Sequence, residues 1–201
     1  MVTLRTSFGS PFGRKARIAA SVLGFDGKIK VEEASTQDDK DPLPQQNPLG
    51  KIPVLILDDG STLFDSRVVL EYLDVLAGGG RIVPKDTTAR FDALRLQALA
   101  DGMLDAGILL VYEGRYRPPE MAVKGWLDRQ SGKIARALAA LEKAPPSLDS
   151  PPNVGQITLA CALGYLDFRF KGEWRQSHPR LVAWLDNFAA RVPAFAATKP
   201  E

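Results

Sequence analysis

The chain is nearly devoid of cysteine and histidine, with Cys161 and His178 the sole residue of each type. One cysteine excludes an internal disulfide and any Cys-x-x-Cys redox pair. One cysteine and one histidine cannot supply a zinc site of the usual Cys/His kind. His178 lies beside Pro179, where a late helix is predicted to start, so a Ser-His-Asp triad has little support. We therefore expect no metal cofactor and no thiol redox chemistry by the protein itself.

Long apolar runs and blocks of like charge are also absent. No stretch approaches the roughly 20 apolar residues of a membrane span, and no apolar signal region precedes the first charges. The 26 basic and 24 acidic residues are spread along the chain and leave a net charge of +2, which gives no nucleic-acid footprint. These absences predict a cytoplasmic protein that binds neither nucleic acid nor membrane.

Strands and helices alternate in the first part of the chain. Hydrophobic periodicity and turn residues predict a strand at 2–4, a helix over 12–23, a half-buried strand at 28–31, two hairpin strands at 54–57 and 61–64, and a helix over 67–76. The run QDDKDPLPQQNP is rich in turn residues and predicts a loop. The pattern is a β-α-β, β-β-α unit that ends near residue 77.

Helices alone are predicted beyond the glycine-rich segment that follows. Their expected ranges are 87–114, 119–143, 157–170 and a last helix marked by the stripe Leu181, Trp184, Leu185 and Phe188. Asn153 and Gln156 are spaced as a capping box before the third of these helices. We therefore expect an α/β domain over 1–77, a linker over 78–86 and an all-helical domain over 87–201.

Four segments carry a family resemblance by their order and spacing. They are SPFGRK at 10–15, NPLGKIPVL at 47–55, LFDSRVVLEYLD at 63–74 and NVGQITLACALGYLDF at 153–168. Together they resemble the soluble glutathione transferases, and the small bacterial members most closely. The resemblance implies a thioredoxin-like amino-terminal domain with a mixed four-stranded sheet, followed by a helical bundle domain.

Pro53 stands directly before the apolar run 54–57. A proline here either withholds a backbone N–H at a strand edge or indicates that the run is not a strand. The resemblance favours the edge and implies a cis Ile52–Pro53 bond, with the Ile52 backbone free to pair with an extended peptide. That peptide is glutathione, held by its cysteinyl backbone.

The resemblance also implies contacts to the two ends of glutathione. Ser66, at a helix start, suits the γ-glutamyl carboxylate, Asp65 suits the ammonium, and Arg67 adds charge nearby. Lys51 is placed for the glycyl carboxylate. From the residues alone, Asp65-Ser66 is equally explained as a helix cap and Lys51 as a solvated loop charge.

Ser10 is the expected donor to the glutathione thiolate, because related proteins place serine or cysteine there. Helix capping explains Ser10 as well, and Thr6 and Ser7 are the alternative hydroxyls. The first strand has no tyrosine and residue 10 is not cysteine. These departures exclude a tyrosine-dependent mechanism and disfavour a mixed-disulfide one.

The long helix over 87–114 lines the dimer interface and the second-substrate cleft in the family. Asp101 and Asp105 on it either face the glutathione of a partner subunit or lie on a solvated face. Tyr112, Arg115 and Tyr116 are expected to line the cleft for the electrophile. Close helix packing is expected at Gly102 and Gly107, because glycine otherwise costs about 1 kcal/mol in a helix.

The leading functional hypothesis is a homodimeric glutathione transferase with a role in detoxification. Glutathione is its co-substrate, no cofactor is bound, and the thiolate attacks an unidentified electrophile. The alternative is a glutathione-transferase-like binding or regulatory protein with little or no catalysis, because a fold does not fix a function.

Overall fold

The computed structural model describes residues 2–200, beginning with a sheet-containing unit. Its elements are β1 (Thr3–Thr6), α1 (Pro11–Val22), β2 (Lys30–Glu33), α2 (Leu43–Gln46), β3 (Val54–Ile56), β4 (Thr62–Leu63) and α3 (Ser66–Leu76). The strand order is β2-β1-β3-β4; β1 is parallel to β2, and the other two pairs are antiparallel. The predicted mixed four-stranded sheet of a β-α-β, β-β-α unit is confirmed.

Helices follow the sheet unit. They are α4 (Thr87–Tyr116), α5 (Lys124–Lys143), α6 (Val154–Arg169), α7 (Pro179–Arg191) and α8 (Pro193–Ala197), with 3₁₀ turns at Pro119–Met121 and Glu173–Ser177. None of the helices described between residues 2 and 200 is long and apolar enough to cross a membrane.

The core is organised around α6, which packs against α4 and against α1. Thirteen of its sixteen residues are buried, from Val154 to Leu166. The predicted capping box starts this helix: the Gln156 N–H donates to Asn153 Oδ1 at 3.1 Å, and the Asn153 N–H donates to Gln156 Oε1 at 2.9 Å. A helix buried on all sides therefore joins the sheet unit to the helical part.

Two sequence predictions in the sheet unit are wrong. The proline-rich run contains α2, because the Asp41 carboxylate accepts the Leu43 N–H at 2.8 Å and Pro44 stands in the first turn, where its missing N–H costs nothing. The strand expected at 28–31 lies at Lys30–Glu33, because its pairing with β1 starts at Lys30. It is mostly exposed at a sheet edge rather than half-buried.

One helix prediction in the second part is also wrong, and one helix was not predicted. The helix expected from residue 119 begins at Lys124, because Pro118 and Pro119 lead into a 3₁₀ turn. The short helix α8 had no signal in the hydrophobic periodicity.

The predicted linker is held in place by Asp74. Its buried carboxylate accepts backbone N–H groups from Gly80, Arg81 and Ile82 at 2.7, 2.9 and 2.7 Å. Ile82 is fully buried, and its C=O accepts the Val154 N–H at 2.9 Å. The segment is thus anchored to both parts of the chain, while the domain limits 1–77, 78–86 and 87–201 stay predictions.

Candidate functional site

The first element of the candidate site is the peptide edge before β3. The Ile52–Pro53 bond is cis, as expected from the sequence. Within residues 2–200 the backbone N–H and C=O of Ile52 make no hydrogen bond, whereas the neighbouring Lys51 C=O accepts the Asn47 side-chain amide at 2.8 Å. The Lys51 side chain is exposed. Ile52 therefore offers an unused donor and acceptor to an extended ligand.

The second element is the start of α3, where Asp65 and Ser66 have different tasks. Asp65 is the N-cap, and its carboxylate accepts the Arg67 N–H at 2.9 Å. Ser66 is the first helical residue and is only 3% exposed. Its hydroxyl makes no hydrogen bond to any described residue. An unpartnered hydroxyl beside free helix amides is suited to an anion.

A buried ion cluster supports this end of the site. Asp101 accepts Lys15 Nζ at 2.6 Å with one oxygen and Arg67 Nε at 2.8 Å with the other. The side chains of Lys15 and Asp101 are 0% and 1% exposed, and that of Arg67 is 51% exposed. The solvated face considered for Asp101 is therefore wrong. No local pattern in the sequence indicates this cluster, because its members come from α1, α3 and α4.

The charges of this cluster shift one another's proton affinity. Burial lowers the pKa of Lys15, and the Asp101 carboxylate opposes that effect. The hydrogen bond to Asp101 raises the pKa of Arg67. Asp105 reaches solvent, yet partial burial and the Asp101 charge raise its pKa, while Arg67 and Lys51 act against this. The nearby positive charges thus do not offset the effects that raise the pKa of Asp105.

The third element is the start of α1, which Ser10 caps. The Ser10 hydroxyl oxygen accepts the Gly13 N–H at 3.2 Å, and Pro11 occupies the first helical position. Thr6 is fully buried and donates to the Ser7 C=O at 3.3 Å, so it is directed into the fold. Ser10 keeps its O–H as a free donor at a helix amino terminus.

Arg14, on α1 four residues after Ser10, is a residue that sequence reasoning missed. Its guanidinium is buried and donates to the Phe195 C=O at 2.6 Å and to Thr198 Oγ1 at 3.3 Å. Burial lowers the pKa of Arg14. Arg14, Ser10 and Cys161 line one small pocket, and burial raises the pKa of Cys161 to about 12, so that thiol stays protonated at neutral pH.

Two tyrosines expected in the electrophile cleft lie near the end of α4. Tyr112 and Tyr116 pack edge to face with ring centroids 5.2 Å apart, and both are exposed. The Tyr116 hydroxyl accepts Gln37 Nε2 at 3.0 Å, which joins the loop after β2 to α4. Within residues 2–200 no group of three or more His, Cys, Asp or Glu side chains is arranged to hold a metal ion.

The two helix glycines differ in their surroundings. A β-carbon on Gly107 would lie 3.4 Å from the Tyr165 ring, which is an ordinary van der Waals distance, so α4 packs against α6 here without requiring glycine. A β-carbon on Gly102 would meet nothing within 4 Å. Within the described chain, Gly107 therefore lies at the contact with α6 but is not required by it, and the packing explanation fails for Gly102.

Comparison with known families matches two parts of the chain. The family described as "Glutathione S-transferase, N-terminal domain" matches residues 9–76, and the family described as "Glutathione S-transferase, C-terminal domain" matches residues 124–187. The chain is 35% identical over 198 residues to the uncharacterized GST-like protein YibF of Escherichia coli, with 96% of each chain covered.

Solved structures agree with this match. A glutathione transferase family member from Pseudomonas fluorescens, crystallised with bound glutathione, is 42% identical, with a TM-score of 0.92 and both chains fully covered. A second structure of a family member from the same strain contains S-(propanoic acid)-glutathione; it is 42% identical with a TM-score of 0.89 over the full length of both chains. The thioredoxin-like sheet domain followed by a helical domain is thereby confirmed.

Proposed function

Because the chain belongs to the glutathione S-transferase family, we propose that it binds glutathione and promotes attack of the glutathione thiolate on an electrophilic small molecule. The observation that carries the proposal is the Ser66 hydroxyl, which stands at the start of α3 without a partner among the described residues, in a residue that is only 3% exposed. A hydroxyl at a helix start that no described residue uses is available to an anionic ligand. Glutathione is the co-substrate, and no further cofactor enters the proposal.

Glutathione is held at three points in this proposal. The unused backbone groups of Ile52 pair with its cysteinyl unit as an added strand would. Ser66 and the first amides of α3 receive the γ-glutamyl carboxylate, and Asp65 receives the ammonium. Lys51 is left for the glycyl carboxylate. Arg67 contributes charge at the γ-glutamyl end, where Asp101 fixes its position.

The thiolate lies over the start of α1 and accepts the Ser10 O–H. The Gly13 N–H already donates to that oxygen, and the hydroxyl hydrogen has no acceptor among the described residues, so it is free to donate to the thiolate. A donor and a helix amino terminus both favour the thiolate over the thiol. The electrophile binds between this point and the wall formed by Tyr112 and its neighbours. The family member from Pseudomonas fluorescens binds S-(propanoic acid)-glutathione, whose sulfur carries a second group, and this supports the proposed arrangement.

A homodimer is part of the proposal. Large apolar side chains are exposed along α3 and the first half of α4; they are Val68, Val75, Leu76, Phe91 and Leu99. An apolar surface of this kind favours burial against a second copy. We further place the protein in the cytoplasm, in a detoxifying role, with domains over 1–77 and 87–201 joined by 78–86.

The test is a calorimetric titration with glutathione at neutral pH, with ultraviolet difference absorbance for the bound thiolate in the same samples. Binding with a thiolate signal that Ser10→Ala abolishes supports the transferase. Binding without thiolate supports the second candidate, a binding or regulatory protein, for which Ser10 is only the cap of α1. Absence of binding contradicts both.

A further inference from the structure

An arginine lies directly beside the residue that precedes Ser10. A β-carbon placed on Gly9 would lie 3.5 Å from Nη2 of Arg169 and 3.9 Å from the Phe168 ring. The Arg169 guanidinium also stacks on that ring, 4.1 Å from its centroid. The last turn of α6 therefore brings a positive charge against the loop that carries Ser10.

Arg169 has no carboxylate partner among residues 2–200. The nearest acid along the helix, Asp167, is already occupied. Arg175 binds it with Nε at 2.8 Å and Nη2 at 2.7 Å, and Trp174 Nε1 donates to it at 2.8 Å. The charge of Arg169 is thus left uncompensated by the acids of residues 2–200.

Arg115, near the end of α4, is a second cation of the same kind. It lies 5.5 Å from the Tyr112 ring centroid and has no carboxylate partner among the described residues. The adjacent acid, Glu113, is bound by Arg117 at 3.2 Å. The acids next to Arg115 and Arg169 in the sequence, Glu113 and Asp167, are therefore each paired with another arginine.

Both arginines lie near one hydroxyl of α6, that of Tyr165. Burial raises the pKa of the Tyr165 hydroxyl, and Arg169 and Arg115 both act on that hydroxyl in the opposite direction. Tyr165 and Gly9 also line the small pocket of Ser10, Arg14 and Cys161 described above. Arg169, against Gly9, and Arg115, near the Tyr165 hydroxyl, therefore bring two positive charges close to the loop that carries Ser10. Arg14 on α1 adds a third positive charge, and the groups to which its guanidinium donates are neutral.

We propose that the electrophile of this protein carries a carboxylate, which Arg169 binds and Arg115 attracts. This inference rests on the proposed function. Guanidinium and carboxylate form charge-assisted hydrogen bonds in paired geometry, and an uncompensated arginine at a cleft selects an anion. With an acidic aryl chloride the glutathione sulfur forms a bond to the ring carbon, the C–Cl bond breaks, chloride leaves and the thiol proton goes to solvent.

The first experiment measures binding and needs no turnover. Glutathione, S-(2-carboxyethyl)glutathione and S-propylglutathione are titrated into wild type, Arg169→Gln, Arg169→Lys, Arg115→Gln and the control Arg95→Gln. Arg95 is an exposed arginine paired with Asp92, about 30 Å from Arg115 along α4. The two derivatives have sulfur substituents of similar length and differ mainly in the carboxylate.

Wild type and Arg95→Gln should bind the carboxyethyl derivative about tenfold or more tightly than the propyl derivative, as expected for a charge-assisted hydrogen bond. Arg169→Gln should abolish the preference, Arg169→Lys should keep part of it, and Arg115→Gln should reduce it less. Equal affinities in wild type, or a preference that survives Arg169→Gln, overturn the inference. If none of the three ligands binds to wild type, the proposed function fails instead.

The second experiment measures turnover with 4-chloro-3,5-dinitrobenzoate and its methyl ester. Each kcat/KM is divided by the rate constant of the uncatalysed reaction with glutathione, which corrects for the different reactivity of acid and ester. The acid should be favoured by about tenfold in wild type, and less at high salt or in Arg169→Gln. An ester favoured equally or more contradicts the inference, while turnover of either compound leaves the proposed function standing.

Discussion

Two serines stand at two helix starts in this protein, and they are used differently. Ser10 is the cap of α1, and its oxygen accepts the Gly13 N–H. Ser66 is the first residue of α3, and the preceding Asp65 provides the cap instead. Where the serine is itself the cap, as in α1, its oxygen accepts a helix N–H. Where the residue before the serine is the cap, as in α3, the serine hydroxyl is left for a ligand.

The difference separates stability from binding. Loss of the Ser10 hydroxyl removes a helix cap, whereas loss of the Ser66 hydroxyl removes no contact within the described chain. In the proposed complex Ser66 binds the charged end of glutathione, and Ser10 acts only on the sulfur. Substitution of Ser66 should therefore change glutathione affinity, whereas substitution of Ser10 should change stability and the thiolate absorbance.

The largest loss of stability is expected from substitution of Asp101, whose ion pairs hold Lys15 and Arg67 next to the start of α3. Asp101→Asn leaves Lys15 buried without its counter-charge, and removal of one partner of a buried ion pair costs about 3–5 kcal/mol. Urea unfolding should show this loss. The double variant Lys15→Met/Asp101→Leu should recover much of it, and an equally unstable double variant would contradict the charge explanation.

Ser66→Ala should come next and should affect binding alone. One charge-assisted hydrogen bond is worth about 1.5–3 kcal/mol, so calorimetry should show glutathione bound roughly ten- to a hundredfold more weakly. The urea midpoint should stay within experimental error of wild type. Unchanged affinity would remove Ser66 from the proposed site.

Ser10→Ala should show the reverse pattern. Loss of the cap costs about 0.5–2 kcal/mol in urea unfolding, while glutathione affinity stays nearly constant and the thiolate absorbance falls. Ser10→Asp is the matched control, because aspartate caps the helix but repels a thiolate. If Ser10→Asp retained the thiolate signal, Ser10 would be only a cap.

The smallest effect is expected at Asp105. Its pKa is raised by partial burial and by Asp101, so its ionised form costs stability above that pKa, and the cost disappears as the pH falls through it. Asp105→Asn should therefore stabilise the fold at pH 7 by no more than about 0.5 kcal/mol. Urea unfolding at pH 7 and pH 4 checks this, since the gain should shrink at the lower pH.

Local signals in the sequence were sufficient for much of the fold. The caps at Ser10 and Asn153 and the hairpin around Gly60 involve neighbours within a few residues, and all three are present in the structure. The helix α2 was missed because its proline-rich composition is typical of a loop, while the capping bond from Asp41 depends on geometry. The start of β2 was misplaced because its register is set by β1.

The site was predictable only where the family resemblance or a helix start marked it. The ion pairs of Asp101 join residues 86 and 34 positions apart, and no periodicity indicates such partners. Arg169 had an ordinary explanation, a cation in the last turn of a helix. Its proximity to Gly9 arises only when α6 packs against α1. Long-range packing, rather than local pattern, thus sets the charge around the candidate cleft.

The single cysteine of the chain has a practical consequence for assays. Cys161 is fully buried in α6, and its raised pKa of about 12 leaves almost no thiolate at neutral pH. Electrophiles added to the folded protein should therefore be consumed by glutathione and not by the enzyme's own sulfur. The same thiol becomes accessible only when the core opens, so the rate at which it is alkylated reports unfolding without an introduced label.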